Sequence, residues 1–208
     1  MTNEEDLINA MADLEEEKVI DLTNQLLKDG KKPVEIFNII RKGMTIVGDK
    51  FASKEYFLAD LIYSAEIFEE INKILMPLIK KSGDSKQLGK VVMGTVKNDI
   101  HDIGKNIVIG LLRAEGIDVI DLGVDKPIES FIEAIKKEKP KAVGLSGLLT
   151  LAIDSMKKTI EAIKSLDPNI PVIVGGGPVD ADTCKYVNAN DWAPDAVEAV
   201  KVFKKYLD

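Results

Sequence analysis

The chain contains one histidine, His101, and one cysteine, Cys184, and these counts limit the chemistry it can perform. A single imidazole excludes zincin helices and most dinuclear metal centres, which need at least two. A single cysteine forms no internal disulfide and supplies neither a zinc knuckle nor an iron–sulfur cluster, which fits a reducing cytoplasm. What remains is an imidazole with an aspartate close by. His101 lies in Gly94-Thr95-Val96-Lys97-Asn98-Asp99-Ile100-His101-Asp102-Ile103-Gly104-Lys105-Asn106, two residues after Asp99. In an extended turn this spacing lets the carboxylate reach one ring nitrogen while the other points outward. Such a pair holds the tautomer and raises the basicity of the outward nitrogen as a metal ligand. The same residues also read as ordinary structure, with Asp99 or Asp102 capping a helix and His101 on the surface.

The elements that must position this loop follow from periodicity. Over the first 82 residues apolar positions recur at three- and four-residue spacing, which predicts helices from Asn3 to Ala12, Leu14 to Lys28, Pro33 to Phe51 and Phe57 to Ile79. Gly30 and Pro33 fit the Gly-stop, Pro-start asymmetry between the second and third. Facing stripes such as Ile36, Phe37, Ile40, Met44 and Val47 against Leu61, Ala65, Phe68, Ile71 and Leu75 predict a four-helix bundle over residues 1–82. The polar, glycine-containing segment 83–89 reads as a linker, with Gly83 and Gly89 suited to a hinge.

From residue 90 to 208 the pattern changes. Short apolar runs at Val91 to Val96, Val119 to Leu122, Ala142 to Leu148 and Val172 to Val174 alternate with amphipathic stretches at Ile103 to Glu115, Ile128 to Lys137, Ile153 to Ser165 and Ala181 to Tyr186. A weak fifth strand at Asp191 to Ala193 precedes a last helix from Pro194 to Tyr206. Alternation of this kind predicts an α/β domain with a five-stranded doubly wound parallel sheet. Ligands of such sheets bind beyond the carboxyl ends of the strands, where the loops after Val96, Leu122, Leu148 and Val174 lie.

Charge narrows the partners. There are 28 Lys and Arg against 35 Asp and Glu, a net charge of −7, which opposes binding to nucleic acid and to anionic membrane surfaces. The acidic start, Met1-Thr2-Asn3-Glu4-Glu5-Asp6, is unlike a signal peptide, and no uncharged stretch is longer than Ala142 to Ile153, which is too short to span a bilayer.

The longer pattern is more specific than any of its parts. Asp99-x-His101-x-x-Gly104, then Ser146-x-Leu148, then Gly175-Gly176, each after an expected strand, resembles the binding signature of the cobalamin-dependent family that contains methionine synthase, the corrinoid-dependent mutases and the methyltransferase cognate corrinoid proteins. Met44-Thr45-Ile46-Val47-Gly48-Asp49-Lys50-Phe51, Phe57-Leu58 and Ser64-Ala65 are similar to the helical cap of methionine synthase, which the mutases lack. Asn190-Asp191-Trp192-Ala193-Pro194-Asp195-Ala196 is similar to the end of small methanogen and acetogen corrinoid proteins, so the resemblance covers nearly the whole chain.

That resemblance implies a cap domain followed by a flavodoxin-like cobalamin-binding domain, and a non-catalytic corrinoid subunit of a multi-component methyltransferase system. It implies a base-off/His-on cobalamin with His101 as the ligand to cobalt, and Asp99, Asp102, Ile103, Gly104, Ser146, Leu148, Thr150, Gly175 and Gly176 around the cofactor. Gly104, Gly144, Gly147 and Gly175-Gly176-Gly177 would line a slot for the nucleotide tail, with Ser146 bonding its base, while Phe51, Leu58 and Leu61 would cover the upper face. The implied partners are a substrate-specific corrinoid methyltransferase, an acceptor methyltransferase using a folate or a thiol, and a reductive activase.

Two departures stand out. Where methionine synthase has a serine bonded to the histidine-orienting aspartate, this chain has Ala152, with Thr150 nearby as a substitute, and Asn98 stands where methionine synthase has glycine. An alternative reading is a cobalamin-dependent sensor or regulator, but light-sensing repressors of that kind carry a basic helix-turn-helix module. A receiver-like signalling domain needs a strand-end aspartate, and the expected strand ends are Val96, Leu122 and Leu148.

Overall fold

The computed structural model describes residues 3–82 and 89–207 and divides into two compact units, Met1–Lys86 and Gln87–Asp208. The first unit contains α1 (Asn3–Ala12), α2 (Glu16–Lys28), α3 (Pro33–Ala52) and α4 (Leu58–Ser82). Helix α2 begins two residues later than its periodicity predicts. Leu14 adopts φ 60°, which closes α1 in a turn and sends the Glu15 amide back to the Ala10 carbonyl. The apolar stripes are buried as expected, with Leu7 and Met11 of α1, Ile36, Ile40 and Val47 of α3, and Phe68, Ile71 and Leu75 of α4 in the core. Phe37 and Phe68 meet tilted, their ring centroids 5.7 Å apart. Helix α3 approaches α1 at Gly43, where a Cβ would lie 2.6 Å from the Met11 Cβ and 2.9 Å from the Ile8 carbonyl oxygen. Most of the linker expected over 83–89 lies outside the described residues; its last residue, Gly89, leads into the first strand.

The second unit alternates β1 (Lys90–Thr95), α5 (Ile103–Ala114), β2 (Asp118–Asp121), α6 (Ile128–Glu138), β3 (Ala142–Ser146), α7 (Ala152–Leu166), β4 (Val172–Gly175), α8 (Ala181–Val187), β5 (Asp191–Ala193) and α9 (Ala196–Leu207). All strand pairs are parallel and the order is β2-β1-β3-β4-β5, the flavodoxin-like arrangement. One face of the sheet, including Val92, Val143, Leu145, Val172 and Val174, packs on residues of α6, α7 and α8. The other, including Val91, Met93, Ala142 and Ile173, packs on α5 and α9. The inner strands β1, β3 and β4 are buried on both faces, which is why their sequences are near-continuous apolar runs instead of alternating ones, whereas the edge strands β2 and β5 are only partly buried.

The register decides where the site lies. Thr95 of β1 pairs with Ser146 of β3, Ser146 with Gly175 of β4, and Gly175 with Ala193 of β5, so one row of residues marks the carboxyl edge of the sheet. The chain switches direction between β1 and β3, and the loops that leave this edge there carry His101 and Leu148. Such a switch point opens a crevice between the departing loops.

Among the described residues no helix is long and apolar enough to cross a membrane. The close approach of α1 and α3 predicts that Gly43→Val overpacks their contact and destabilises the helical unit by about 1–3 kcal/mol, read as a lowered urea midpoint in circular dichroism.

Candidate functional site

The His101 loop leaves β1 after Thr95 and reaches α5 at Ile103. Asp99 is fully buried within it and acts as its organising acceptor. Its Oδ1 accepts from the His101 amide at 3.0 Å and from His101 Nδ1 at 2.8 Å. Its Oδ2 accepts from the amides of Leu148 at 2.6 Å and Leu149 at 2.9 Å, on the loop between β3 and α7. Burial opposes ionisation of this carboxyl and pushes its pKa up. The Leu149 and His101 amides, the His101 ring and the Leu148 amide outweigh that and hold it at about 2, against an ordinary 3.8. Asp99 is therefore an anion that only accepts, so the proton on the bonded nitrogen of the ring belongs to Nδ1.

The rest of the ring faces outward. The His101 side chain is 47 % exposed, and among the described residues Nε2 has no hydrogen-bond partner. The Thr95 hydroxyl, buried at the strand end, donates to the His101 carbonyl oxygen at 2.9 Å and fixes the backbone from below.

Ala152 and Thr150 resolve into a definite arrangement. Ala152 is buried at the start of α7, and the Thr150 side chain is exposed without a bond to Asp99. The acceptor sites that Thr150 was expected to fill are taken by two backbone amides. This also explains why β3 ends at Ser146 and not at Leu148: the Gly147 amide still reaches the Gly175 carbonyl, but the next two amides turn from the sheet to Asp99. Asn98 has φ 69°, a left-handed conformation that asparagine tolerates and glycine adopts freely, so the departure from glycine there leaves the loop's shape intact.

The glycines divide into two kinds. Gly176 has φ 134°, and a Cβ on it would lie 1.9 Å from the Gly147 carbonyl oxygen; a Cβ on Gly147 would lie 2.7 Å from the Ala152 Cβ. Gly176 is needed for the loops after β3 and β4 to press together, and Gly147 for the start of α7 to pack under its own loop. Gly104, in contrast, opens on space with nothing within 4 Å. The space over Gly144 is filled by Met93 and Phe203, so Gly144 packs the α5–α9 face and does not line an open slot. Ser146 is half-buried at the strand end, with its hydroxyl unbonded among the described residues. Asp102 stands at the N-cap of α5 without capping it, and accepts instead from Asn106 Nδ2 at 3.2 Å.

On the two loops that meet at Asp99 and at the helix starts after them, Ile100, Ile103, Leu148, Leu149 and Leu151 are all exposed. Exposed large apolar side chains on neighbouring loops are a common feature of binding surfaces. In the helical unit Leu58 is exposed and Phe51 half-buried, whereas Leu61 is fully buried, a residue of the bundle core that presents no surface. Phe57, just before α4, is 70 % exposed and is the larger apolar residue at that end. Cys184 is buried, and burial pushes its thiol up, which leaves it unreactive.

Sequence reasoning missed Thr95 and the residues that brace α5 and the loop from β2. Lys105 Nζ is buried and donates to Asp121 Oδ1 at 2.8 Å and Asn106 Oδ1 at 2.7 Å. A lysine in the first turn of an amphipathic helix reads as solvated, and only its neighbour across the sheet edge reveals otherwise.

These features fit a metal that arrives with its own ligands. Among the described residues no three His, Cys, Asp or Glu side chains gather to hold a metal ion. One outward imidazole nitrogen in an apolar rim can supply a single axial bond to a metal already held in a macrocycle. The sheet order, the switch point and the His101 loop match the fold expected of the family that the sequence resembles, with a helical unit before it.

Comparison with known proteins agrees. Residues 89–201 match the B12 binding domain family, and residues 4–76 match a second family of the same description. The chain is 34% identical over its whole length to the trimethylamine corrinoid protein of Methanosarcina barkeri, all of which is covered. It is 35% identical to a cobalamin-binding protein from Desulfitobacterium hafniense DCB-2 of known crystal structure, with 99% of each chain covered and a TM-score of 0.81. The methanol:cobalamin methyltransferase complex of Methanosarcina barkeri gives a TM-score of 0.85 at 28% identity, covering 99% of this chain and 79% of that one. The chain belongs to the B12-binding family of methyltransferase cognate corrinoid proteins.

Two outcomes follow from the geometry. Asp99→Ala leaves three part-buried amides without their acceptor and is expected to destabilise the second unit by about 3 kcal/mol, measured by urea unfolding. Because folding lowers this carboxyl's pKa from 3.8 to about 2, its contribution to stability is complete above pH about 4 and is lost as pH falls through 2; Asp99→Asn is expected to remove that acid limb from the stability profile. Gly176→Ala forces the Gly147 carbonyl away and is expected to cost about 3 kcal/mol, with Gly175→Ala, whose Cβ would meet only the Ala193 carbonyl oxygen at 3.6 Å, much milder in the same assay.

Proposed function

We propose that the protein is a methyl carrier. It holds a corrinoid with His101 as the axial ligand in the base-off/His-on state, accepts a methyl group from a substrate-specific methyltransferase and yields it to a second methyltransferase whose acceptor is a folate or a thiol. The observation that carries this reading is the His101 ring, bonded at Nδ1 to a buried anionic Asp99 and free at Nε2 within an exposed apolar rim. When bound, the corrinoid supplies the cobalt that carries the methyl group.

The chain's own residues do the rest. Asp99 holds the proton on Nδ1 and keeps the Nε2 lone pair available. Ile100, Ile103, Leu148 and Leu149 exclude water from the ligand face. Gly104 leaves room for close approach, and the unbonded Ser146 hydroxyl, in the strand-end row with Gly175, supplies a polar partner for the nucleotide tail. Asp102 and Thr150 flank this edge as exposed polar groups, and Gly176 keeps the loop after β4 in contact with the one after β3. Phe57 and Leu58, exposed at the start of α4, with Phe51, give the helical unit apolar surface to shield a reactive methyl group, and Leu61 supports them from the bundle core.

The partners proposed are the two methyltransferases and a reductive activase. Trimethylamine and methanol, named for the two Methanosarcina barkeri relatives, are the first donors to test, each with its own methyltransferase. The charge balance, the lone thiol and the absence of a membrane-crossing helix among the described residues suit a carrier working in the cytoplasm among protein partners.

After reconstitution and desalting, the protein is expected to retain one corrinoid per chain. In the paramagnetic Co(II) state the spectrum is expected to show coupling to a histidine nitrogen, which nitrogen-15 labelling of histidine will alter, since His101 is the sole imidazole. His101→Ala is expected to lose that coupling while keeping part of the corrinoid. A spectrum indifferent to the label would overturn His-on ligation.

A further inference from the structure

The loop that carries His101 is gripped from one side by the loop between β2 and α6, and Asp125 is the centre of that grip. The Asp125 amide donates to the Asp99 carbonyl oxygen at 2.9 Å. Its Oδ1 accepts from the Asn98 amide at 2.8 Å, and its Oδ2 accepts from Lys97 Nζ at 3.1 Å. Three consecutive residues, Lys97, Asn98 and Asp99, are thus each bonded to this one residue. Two backbone bonds extend the seam, from the Thr95 amide to the Gly123 carbonyl at 2.9 Å and from the Lys126 amide to the Thr95 carbonyl at 3.0 Å.

Asn98 and Asp125 both lie in the left-handed region, with φ 69° and 51°. That conformation is costly for residues with a Cβ unless surrounding bonds hold it. Here each residue stabilises the other's turn. The Asn98 amide is also the main reason the Asp125 carboxyl sits below the usual carboxylate range, with Lys97 adding to it. The Asp99 carboxylate is placed by the amides of the β3–α7 loop, but its backbone is placed by Asp125.

We propose that Asp125 is a positioning residue for the axial ligand: by holding residues 97–99 in one conformation it sets where the Asp99 carboxylate meets the His101 ring, and so which ring nitrogen keeps the proton. This rests on His101 being the ligand. Asp125 itself is two residues past Gly123 on another loop and has no bond to the ring. If Asn98 relaxes from its left-handed conformation, the peptide leading into Asp99 turns, and a hydrogen bond as directional as that to Nδ1 weakens steeply with angle.

The test uses the full chain with nitrogen-15 histidine. Asp125→Gly removes the carboxylate while accepting a positive φ, so the backbone is not forced out of place. Asp125→Asn keeps an acceptor oxygen for the Asn98 amide, and Lys97→Ala removes only the ion pair. In the cofactor-free protein, ring nitrogen shifts of the sole histidine report its tautomer directly. Asp125→Gly is expected to raise the Nε2-protonated fraction several-fold, with Asp125→Asn and Lys97→Ala close to the parent. In the protein loaded with Co(II) cobalamin, Asp125→Gly is expected to lower the fraction of cobalt coupled to histidine nitrogen about threefold to tenfold.

A parent-like tautomer ratio in Asp125→Gly overturns the proposal. So does an equal effect from Lys97→Ala, which would assign the effect to charge instead of to the backbone grip. If the loaded parent protein itself shows no histidine coupling, the ligation reading fails, and the tautomer comparison in the cofactor-free protein still decides the role of Asp125.

Discussion

Burial of one carboxylate governs the architecture of the site. An anion taken out of water is costly unless its lone pairs are filled, and among the described residues no lysine or arginine pairs with Asp99. Its four contacts come from the His101 amide and ring on its own loop and from two amides on the loop after β3. Those two loops must therefore leave the sheet side by side. Adjacent β1 and β3, with Thr95 and Ser146 paired at the edge, bring that about, the missing Cβ of Gly147 lets α7 start close beneath, and that of Gly176 lets the third loop close in behind. The sheet order, the row of strand ends and the glycine positions are separate features of the sequence that serve one electrostatic requirement.

The same requirement sets the chemistry. A carboxylate held far below its ordinary pKa accepts but does not donate, so the bonded nitrogen is the one with the proton and the other keeps a lone pair. An imidazole fixed in that way is a better metal ligand than a freely tumbling one, because its tautomer and its ring direction cost nothing further to select. The apolar rim of Ile100, Ile103, Leu148, Leu149 and Leu151 then gains on losing contact with water when a large ligand covers it. Polar anchoring of the ring and exposed apolar side chains on the same two loops are the complementary features on which the proposed corrinoid site rests.

Much of this was legible in the sequence because the signals were local. Each buried strand is a short apolar run bounded by polar or glycine residues, and Asp99 and His101 are close enough in sequence for their pairing to be read from spacing. What escaped was set by contacts between segments distant in the chain. The end of β3 was expected at Leu148 because Leu145, Leu148 and Leu149 are all apolar, yet the backbone amides there are drawn to a carboxylate about fifty residues earlier. Leu61 and Leu58 share a helix and an apolar character, and only packing separates the buried one from the exposed one. Gly144 has the small size that a slot would need, but Met93 and Phe203 fill the space over it. Lys105 and Asp125 carry no motif at all, since a charged residue at a sheet edge is ordinary until its partner across the edge is known.

Replacing a serine by Ala152 has a consequence beyond geometry. In methionine synthase the orienting aspartate is bonded to a hydroxyl, a group that can accept a proton on one side and release one on the other. In this chain the corresponding acceptor sites of Asp99 are filled by the Leu148 and Leu149 amides, which donate hydrogen bonds but do not pass protons on. Inward, the network ends at the carboxylate. The amide anchoring therefore fixes the Asp99 carboxylate, and through it the His101 ring, with no hydroxyl relay on the inward side.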